Sequence, residues 1–190
     1  PAQTVQITPP TNTATYAPAF NYGSWVGRPT YPSIKYFATV TDNVIKFTEG
    51  KTFEQIVDDI RELRYISHVN DNSNYAIQYA DETLVIGGGD CTDKVLLLYA
   101  CMKAKGYSED DMAVVSIHSC DGGYDHNVLA MTKPPFDATG VDSHYTFDIG
   151  GRKWYIIDPT NWAGTPMCSV MGYYEDCYIV GNMHFYNTDT

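Results

Sequence analysis

Helical periodicity confined to the first half of the chain and short β-rich segments confined to the second predict an α+β domain. The nearly unbroken apolar run Val95 to Met102 predicts one central helix buried on almost every face. The pair Gly150-Gly151, set between two β-rich segments, predicts a hairpin and hence a largely antiparallel sheet. A length of 190 residues suits a single domain with a sizeable core. The expected division is an extended N-terminal arm over 1–32 and one folded domain over 33–190.

The arm is rich in Pro, Thr, Ala and Tyr and has weak periodicity, yet Tyr16, Phe20, Tyr22 and Trp25 predict that part of it packs on the domain. From Ser33 to Phe47, the positions Ile34, Phe37, Val40, Val44 and Ile45 predict a helix, closed by Gly50. A second helix begins at Lys51, where Thr52 and Gln55 have capping-box spacing and Phe53, Ile56, Val57, Ile60 and Leu63 form one apolar face. Residues 65–86 read as a polar connection. Its run Asn70-Asp71-Asn72-Ser73-Asn74 is a solvated loop or, as the weaker alternative, a calcium loop, although the Gly and distal Glu of an EF-hand are absent. The central helix opens at Cys91 after Gly87-Gly88-Gly89, with Asp90 as N-cap and Asp93 three residues on, and ends near Gly106. Beyond it, Met112–His118, Asn127–Met131, Tyr145–Ile149, Lys153–Ile157 and Tyr178–Val180 read as strands.

A net charge of −11 without any Lys/Arg run argues against nucleic acid and anionic membrane surfaces as partners. No stretch reaches the length of a membrane span, and the opening at Pro1 without a signal-like apolar segment reads as a mature or excised piece of something longer. The five cysteines, at 91, 101, 120, 168 and 177, are expected to be one free thiol plus two disulfides, or five reduced thiols; Cys101, Cys120, Cys168 and Cys177 allow three pairings. They lack zinc-site spacing. Sixteen tyrosines and many Asn and Thr residues point to an extracellular or cell-surface setting.

A cysteine at a helix N-terminus sits where unpaired N–H groups and the helix dipole favour a thiolate. It is therefore either a mounted nucleophile or a small buried cysteine after a glycine turn. A nucleophile needs a base, and the base needs an orienting acceptor. His126 borders the strand Val128-Leu129-Ala130-Met131, and Asp158 ends the strand Trp154-Tyr155-Ile156-Ile157 before Pro159. Adjacent antiparallel strands would bring the two together, facing Cys91. His118 and His144 are the rival bases, and Asp125 and Asp148 the rival acceptors.

These blocks, Gly89-Asp90-Cys91 with Leu97, Leu98 and Gly106-Tyr107, then His126-Asn127-Val128, then Trp154 through Thr160, resemble the transglutaminase-like branch of the papain-like cysteine enzymes. The resemblance spans roughly Thr52 to Trp162; papain itself is a poorer match, because its histidine lies about 130 or more residues after its cysteine, against about 35 here. It implies a nucleophile-bearing central helix packed on an antiparallel sheet, with Cys91 as nucleophile, His126 as general acid/base and Asp158 as orienting carboxylate. It further implies an oxyanion hole using the Cys91 N–H and a second donor, for which Tyr65, Tyr75 and Gln78 are the candidates. The implied activity is cofactor-free cysteine peptidase or amidase action on a peptide or isopeptide bond by a monomer. A narrower similarity, to the pseudomurein endoisopeptidases of methanogens and their viruses, suggests a cell-wall substrate and a virus-encoded lytic enzyme. The alternatives are a transglutaminase or other amine acyltransferase, and a non-catalytic surface binding domain.

Overall fold

A computed structural model of the chain describes residues 34–67, 77–120, 125–174 and 177–184. The expected arm over 1–32, the Asn70–Asn74 run and Tyr75 lie outside the described residues.

Among the described residues, five helices precede most of the sheet. The helix expected over Ser33–Phe47 is two pieces, α1 (Ile34–Phe37) and α2 (Asp42–Thr48). The β-branched run Thr39-Val40-Thr41 breaks it, and the Thr41 hydroxyl caps α2 by accepting the Val44 N–H while donating to Asp81 at 2.8 Å. Helix α3 (Phe53–Glu62) begins at the expected Thr52/Gln55 capping box and buries Phe53, Ile56, Val57 and Ile60. The polar connection contains two elements that composition hid: β1 (Arg64–Tyr65) and α4 (Ala80–Ile86). Helix α4 is short. Its start is fixed by the Glu82 carboxylate, which accepts the Tyr79 N–H, and its end by Gly87 at φ 72°.

Next come β2 (Gly88–Gly89), which pairs in parallel with β1, and α5 (Cys91–Ala104). From Val95 to Met102 every residue of α5 is fully buried, so solvent touches this helix only near its ends. The strands β3 (Met112–Ser119), β4 (Asp125–Met131), β5 (Thr146–Ile149), β6 (Arg152–Ile157) and β7 (Tyr178–His184) form one antiparallel sheet in the order β5-β6-β4-β3-β7. The β5–β6 hairpin turns through Gly150 and Gly151, both at positive φ, as their pairing in the sequence predicts. The architecture is thus the α+β one, a central cysteine-bearing helix packed on an antiparallel sheet.

Strand alternation divides the core. Met112, Val114, Leu129, Met131 and Ile157 pack with α5 and the other helices, whereas Ala113, Val115, Ile117, Val128, Ala130, Trp154 and Ile156 form a second cluster with Val170 and Tyr174. A disulfide, Cys120–Cys177, ties the end of β3 to the start of β7 across 57 residues, a closure worth about 4 kcal/mol on chain entropy. Cys91, Cys101 and Cys168 are free. The expected two disulfides or none are therefore corrected to one: Cys101 is buried within α5, and Cys168 sits in the loop after β6.

The three glycines before Cys91 serve different needs. Gly87 takes positive φ, whereas Gly88 and Gly89 have ordinary φ and are required by close approach: a Cβ on Gly89 would lie 2.5 Å from Asp93 Cβ and 2.8 Å from its Oδ2. Gly89→Ala is expected to lower unfolding free energy by about 2 kcal/mol or more, by displacing the Asp93 carboxylate from its hydrogen bonds. Urea denaturation of the variant beside Gly50→Ala, whose added Cβ meets nothing but which stands at φ 71°, separates crowding from backbone strain.

Candidate active site

The tip of α5 is built from two carboxylates. Asp90 Oδ1 accepts the N–H groups of Thr92 and Asp93, and Asp93 Oδ2 accepts the Asp90 N–H at 3.0 Å. Asp93 Oδ1 takes the Gln78 N–H at 2.8 Å, so one fully buried side chain joins the α4 approach, the glycine turn and the helix. The Lys94 N–H goes to the Asp90 carbonyl. In this first turn, the Cys91 N–H alone has no acceptor among the described residues. Cys91 itself is half-buried and free.

The His126 imidazole stands between Cys91 and a carboxylate. Its Nε2 donates to Asp158 Oδ2 at 2.8 Å, which leaves Nδ1 without that partner, and Cys91 is near enough to act on the ring. The sheet register explains the pairing: Leu129 lies opposite Ile157, so His126 and Asp158 fall on one face, two positions out of register. Asp158 is fully buried and also accepts the N–H groups of Thr160 at 2.8 Å and Met171 at 2.9 Å. Burial by itself would push the His126 pKa down; the charge and hydrogen bond of Asp158, with the hydrogen bond to Cys91, overcome it and raise the pKa to about 10. Burial likewise works to raise the Asp158 pKa, and the His126 cation and the two N–H donors overcome it, so the carboxyl ionises below its ordinary value.

Three supporting contacts escaped the sequence reading. Arg61 of α3 is buried and donates Nε to the Asp158 carbonyl at 3.1 Å, Nη1 to the Thr165 carbonyl and to Asp58, and Nη2 to the Pro166 carbonyl, fastening the segment after β6. The ring of buried Tyr174 stacks on His126 with centroids 5.1 Å apart and planes 17° apart. Asn127, facing α5, donates to the Thr92 hydroxyl at 2.9 Å and accepts from Ser116, so the neighbours of His126 and Cys91 in sequence are bonded to one another. An arginine in an amphipathic helix and a tyrosine in a loop carry no sequence signal for this role; the pairs Cys91-Thr92 and His126-Asn127 did carry one, in their adjacency.

The remaining candidates separate. Gln78 is buried, held by Asp93 beside the start of α5. Tyr65 pairs in register with Gly89 and is 57% exposed. The rival base His118 and rival acceptor Asp125 bond to each other at the exposed end of β3–β4. His144 lies in a turn against Tyr145 and Tyr178, and exposed Asp148 pairs with Lys153 in the β5–β6 hairpin. Among the described residues, no group of three or more His, Cys, Asp or Glu is arranged to hold a metal ion.

The sign of the pH dependence follows from the two shifts. His126 keeps its proton up to about pH 10, whereas an unfolded histidine loses it near 6.5; its stabilising contribution is complete below 6.5 and is lost as pH rises through about 10. Asp158 contributes above its unfolded value near 3.9 and ceases to as pH falls through its lower folded value. In Asp158→Asn the burial of His126 persists without the counter-charge, so its pKa is expected to drop by several units toward or below 6.5. Titration of the imidazole Cε1–H by NMR in both proteins checks this.

No protein-family model matches the chain, and no curated protein matches it significantly. Solved structures do. Calcium-bound LapG of Legionella pneumophila is similar at 17% identity and TM-score 0.47, covering 77% of this chain and 76% of that one. The EGTA-treated form of LapG is similar at 16% and 0.47, covering 86% and 90%. A candidate cysteine protease from Cytophaga hutchinsonii is similar at 18% and 0.42, covering 81% of this chain and 55% of that one.

Proposed function

We propose that the chain is a cysteine peptidase or amidase that opens a peptide or isopeptide bond, with Cys91 as nucleophile, His126 as general acid/base and Asp158 as the carboxylate that orients it. One observation carries this reading: a buried imidazole bonded through Nε2 to a buried carboxylate, with a free cysteine at a helix tip near enough to act on the ring. Helix capping and packing need neither the cysteine nor the histidine.

The chemistry follows from the geometry. The pKa of His126, raised to about 10 by Asp158, keeps a proton on the imidazole at neutral pH, available for the leaving group. The sulfur attacks the amide carbonyl, forming the C–S bond. The oxyanion accepts the Cys91 N–H, the first-turn donor without an internal acceptor, and Gln78 is the proposed second donor. As the C–N bond breaks, Nδ1 of His126 gives its proton to the leaving amine, and a thioester remains. His126, now neutral, takes a proton from water; the hydroxide attacks the thioester, the C–S bond breaks, and the acid leaves. Asp158 holds the ring through Nε2 throughout.

A peptide bond and a lysine isopeptide bond present the same carbonyl to Cys91, so a cell-wall cross-link belongs to the proposed substrate class. A setting outside the reducing cytoplasm is part of the proposal, supported by the Cys120–Cys177 disulfide.

Alkylation tests the reading directly. Cys101 and Cys168 are buried, and burial pushes both thiols up, that of Cys168 to about 12, so neither should react near neutral pH. Iodoacetamide at pH 7 with peptide mapping is expected to modify Cys91 alone and rapidly. His126→Ala is expected to slow that reaction about 100-fold. An equally slow reaction in both proteins would refute the assignment.

A further inference from the structure

A groove of about 780 Å³ runs beside the proposed active site, lined by Tyr65, Glu62, Lys94, Thr160, Trp162 and Met171 among others. Its position is fixed by the site. Tyr65 pairs with Gly89, two residues before Cys91; Lys94 stands one helical turn after Cys91; and Thr160 follows Asp158 by two. Trp162 is 81% exposed, yet its turn is held firmly. Asn161 accepts the Trp162 N–H and donates to Ser169 and Val170, and Thr165 closes on the Trp162 carbonyl. An ordered, exposed tryptophan beside a groove leaves apolar surface in water that a ligand would cover.

The charge in the groove is particular. Lys94 is 2% exposed and donates to the Leu63 carbonyl at 2.7 Å and the Arg61 carbonyl at 3.3 Å, two acceptors for three N–H groups. No carboxylate makes an ion pair with it among the described residues; burial pushes its pKa down to about 8, which Asp158 partly opposes at longer range, so it is largely an ammonium at neutral pH. The guanidinium of Arg61 is spent on Asp58 and three carbonyls, and Glu62 lies at the exposed rim. The Thr160 hydroxyl is buried and finds no partner among the described residues. An ammonium with an unused donor and an unused hydroxyl, in a groove also lined by the exposed rings of Tyr65 and Trp162, suit a carboxylate on a short apolar stem.

We propose that this groove is a specificity subsite that takes an aspartate or glutamate side chain of the substrate, next to the bond that Cys91 attacks. The proposal rests on the nucleophile assignment above. It goes further in making Lys94 a specificity residue, whereas as a mere cap of α3 it would hold only carbonyls.

The test uses peptidyl vinyl sulfones that differ only in Glu against Gln, placed at each of the three positions nearest the electrophile, with Cys91 labelling followed by intact-mass spectrometry. At one position the Glu probe is expected to react about tenfold faster or more. The ratio should fall to about one in Lys94→Met and be largely kept in Lys94→Arg. Trp162→Ala, an exposed change that leaves the core intact, should slow both probes. A wild-type ratio near one at every position, with iodoacetamide still modifying Cys91 rapidly, overturns the subsite and leaves the nucleophile standing. So does a ratio that persists in folded Lys94→Met, or a preference set only by a free over an amidated peptide C-terminus. Slow iodoacetamide reaction at Cys91 overturns both. The wild-type ratio decides even if Lys94→Met does not fold.

Discussion

A fully buried carboxylate, that of Asp158, imposes the strongest demand on this structure. Taking a carboxylate out of water costs several kcal/mol unless its lone pairs are met by donors. Here one oxygen takes the Thr160 N–H, and the other takes the Met171 N–H and the His126 ring. The first and second of these come from the segment that follows β6, so that segment cannot leave without stranding a charge. Arg61 adds the mechanical half of the same arrangement by gripping the carbonyls of Asp158, Thr165 and Pro166. The strand end, the loop and the histidine therefore behave as one unit, and the imidazole inherits its orientation from a charge that has no alternative partner.

The opposite side of the site is set by a helix rather than a strand. Because α5 is sealed from solvent along its middle, its rotation and height are fixed by packing, and its first residue is placed to the same tolerance. Asp90 and Asp93 then carry that rigidity into the glycine turn and on to Gln78. What joins the two halves is small: the bond from Asn127 to Thr92, one residue along from His126 and from Cys91. Alternation in β4 makes this possible, since it turns Asn127 toward the helix and His126 toward Asp158.

The sequence announced what is local. The capping box of α3, the N-cap of α5, the two-glycine hairpin and the antiparallel strands are signatures of short range, and each appears where its residues stand. The meeting of Cys91, His126 and Asp158 was legible because all three lie at element ends that topology forces together. Helix α4 was not: its apolar face is only a turn or two long, and its capping acid Glu82 sat in a stretch read as polar loop. The break before α2 was hidden because Val40 fits the helical spacing while Thr41 prefers to cap. Arg61, Tyr174 and Lys94 were illegible for a different reason: their partners lie from about thirty to over a hundred residues away, and no local pattern encodes that distance.

The distribution of buried charge separates scaffold from site. Along the middle of α5 and the strands facing it the interior is apolar apart from the Tyr99 hydroxyl, with Leu96, Leu97, Leu98 and Met102 each contributing about 1.5–3 kcal/mol by burial. Around the helix tip the interior instead holds Asp90, Asp93, Lys94, Arg61, His126 and Asp158. A core chosen for stability alone would replace such groups with hydrocarbon, because even well-paired buried ions do little better than break even. Capping accounts for Asp90 and Asp93, and loop anchoring for Arg61. Anchoring the segment after β6 accounts for part of Asp158, but neither capping nor anchoring accounts for a buried imidazole on that carboxylate with a free thiol beside it. That residue of unexplained cost, concentrated where the glycine turn, the helix tip and two strand ends converge, is the physical argument behind the proposal that the molecule acts at this end.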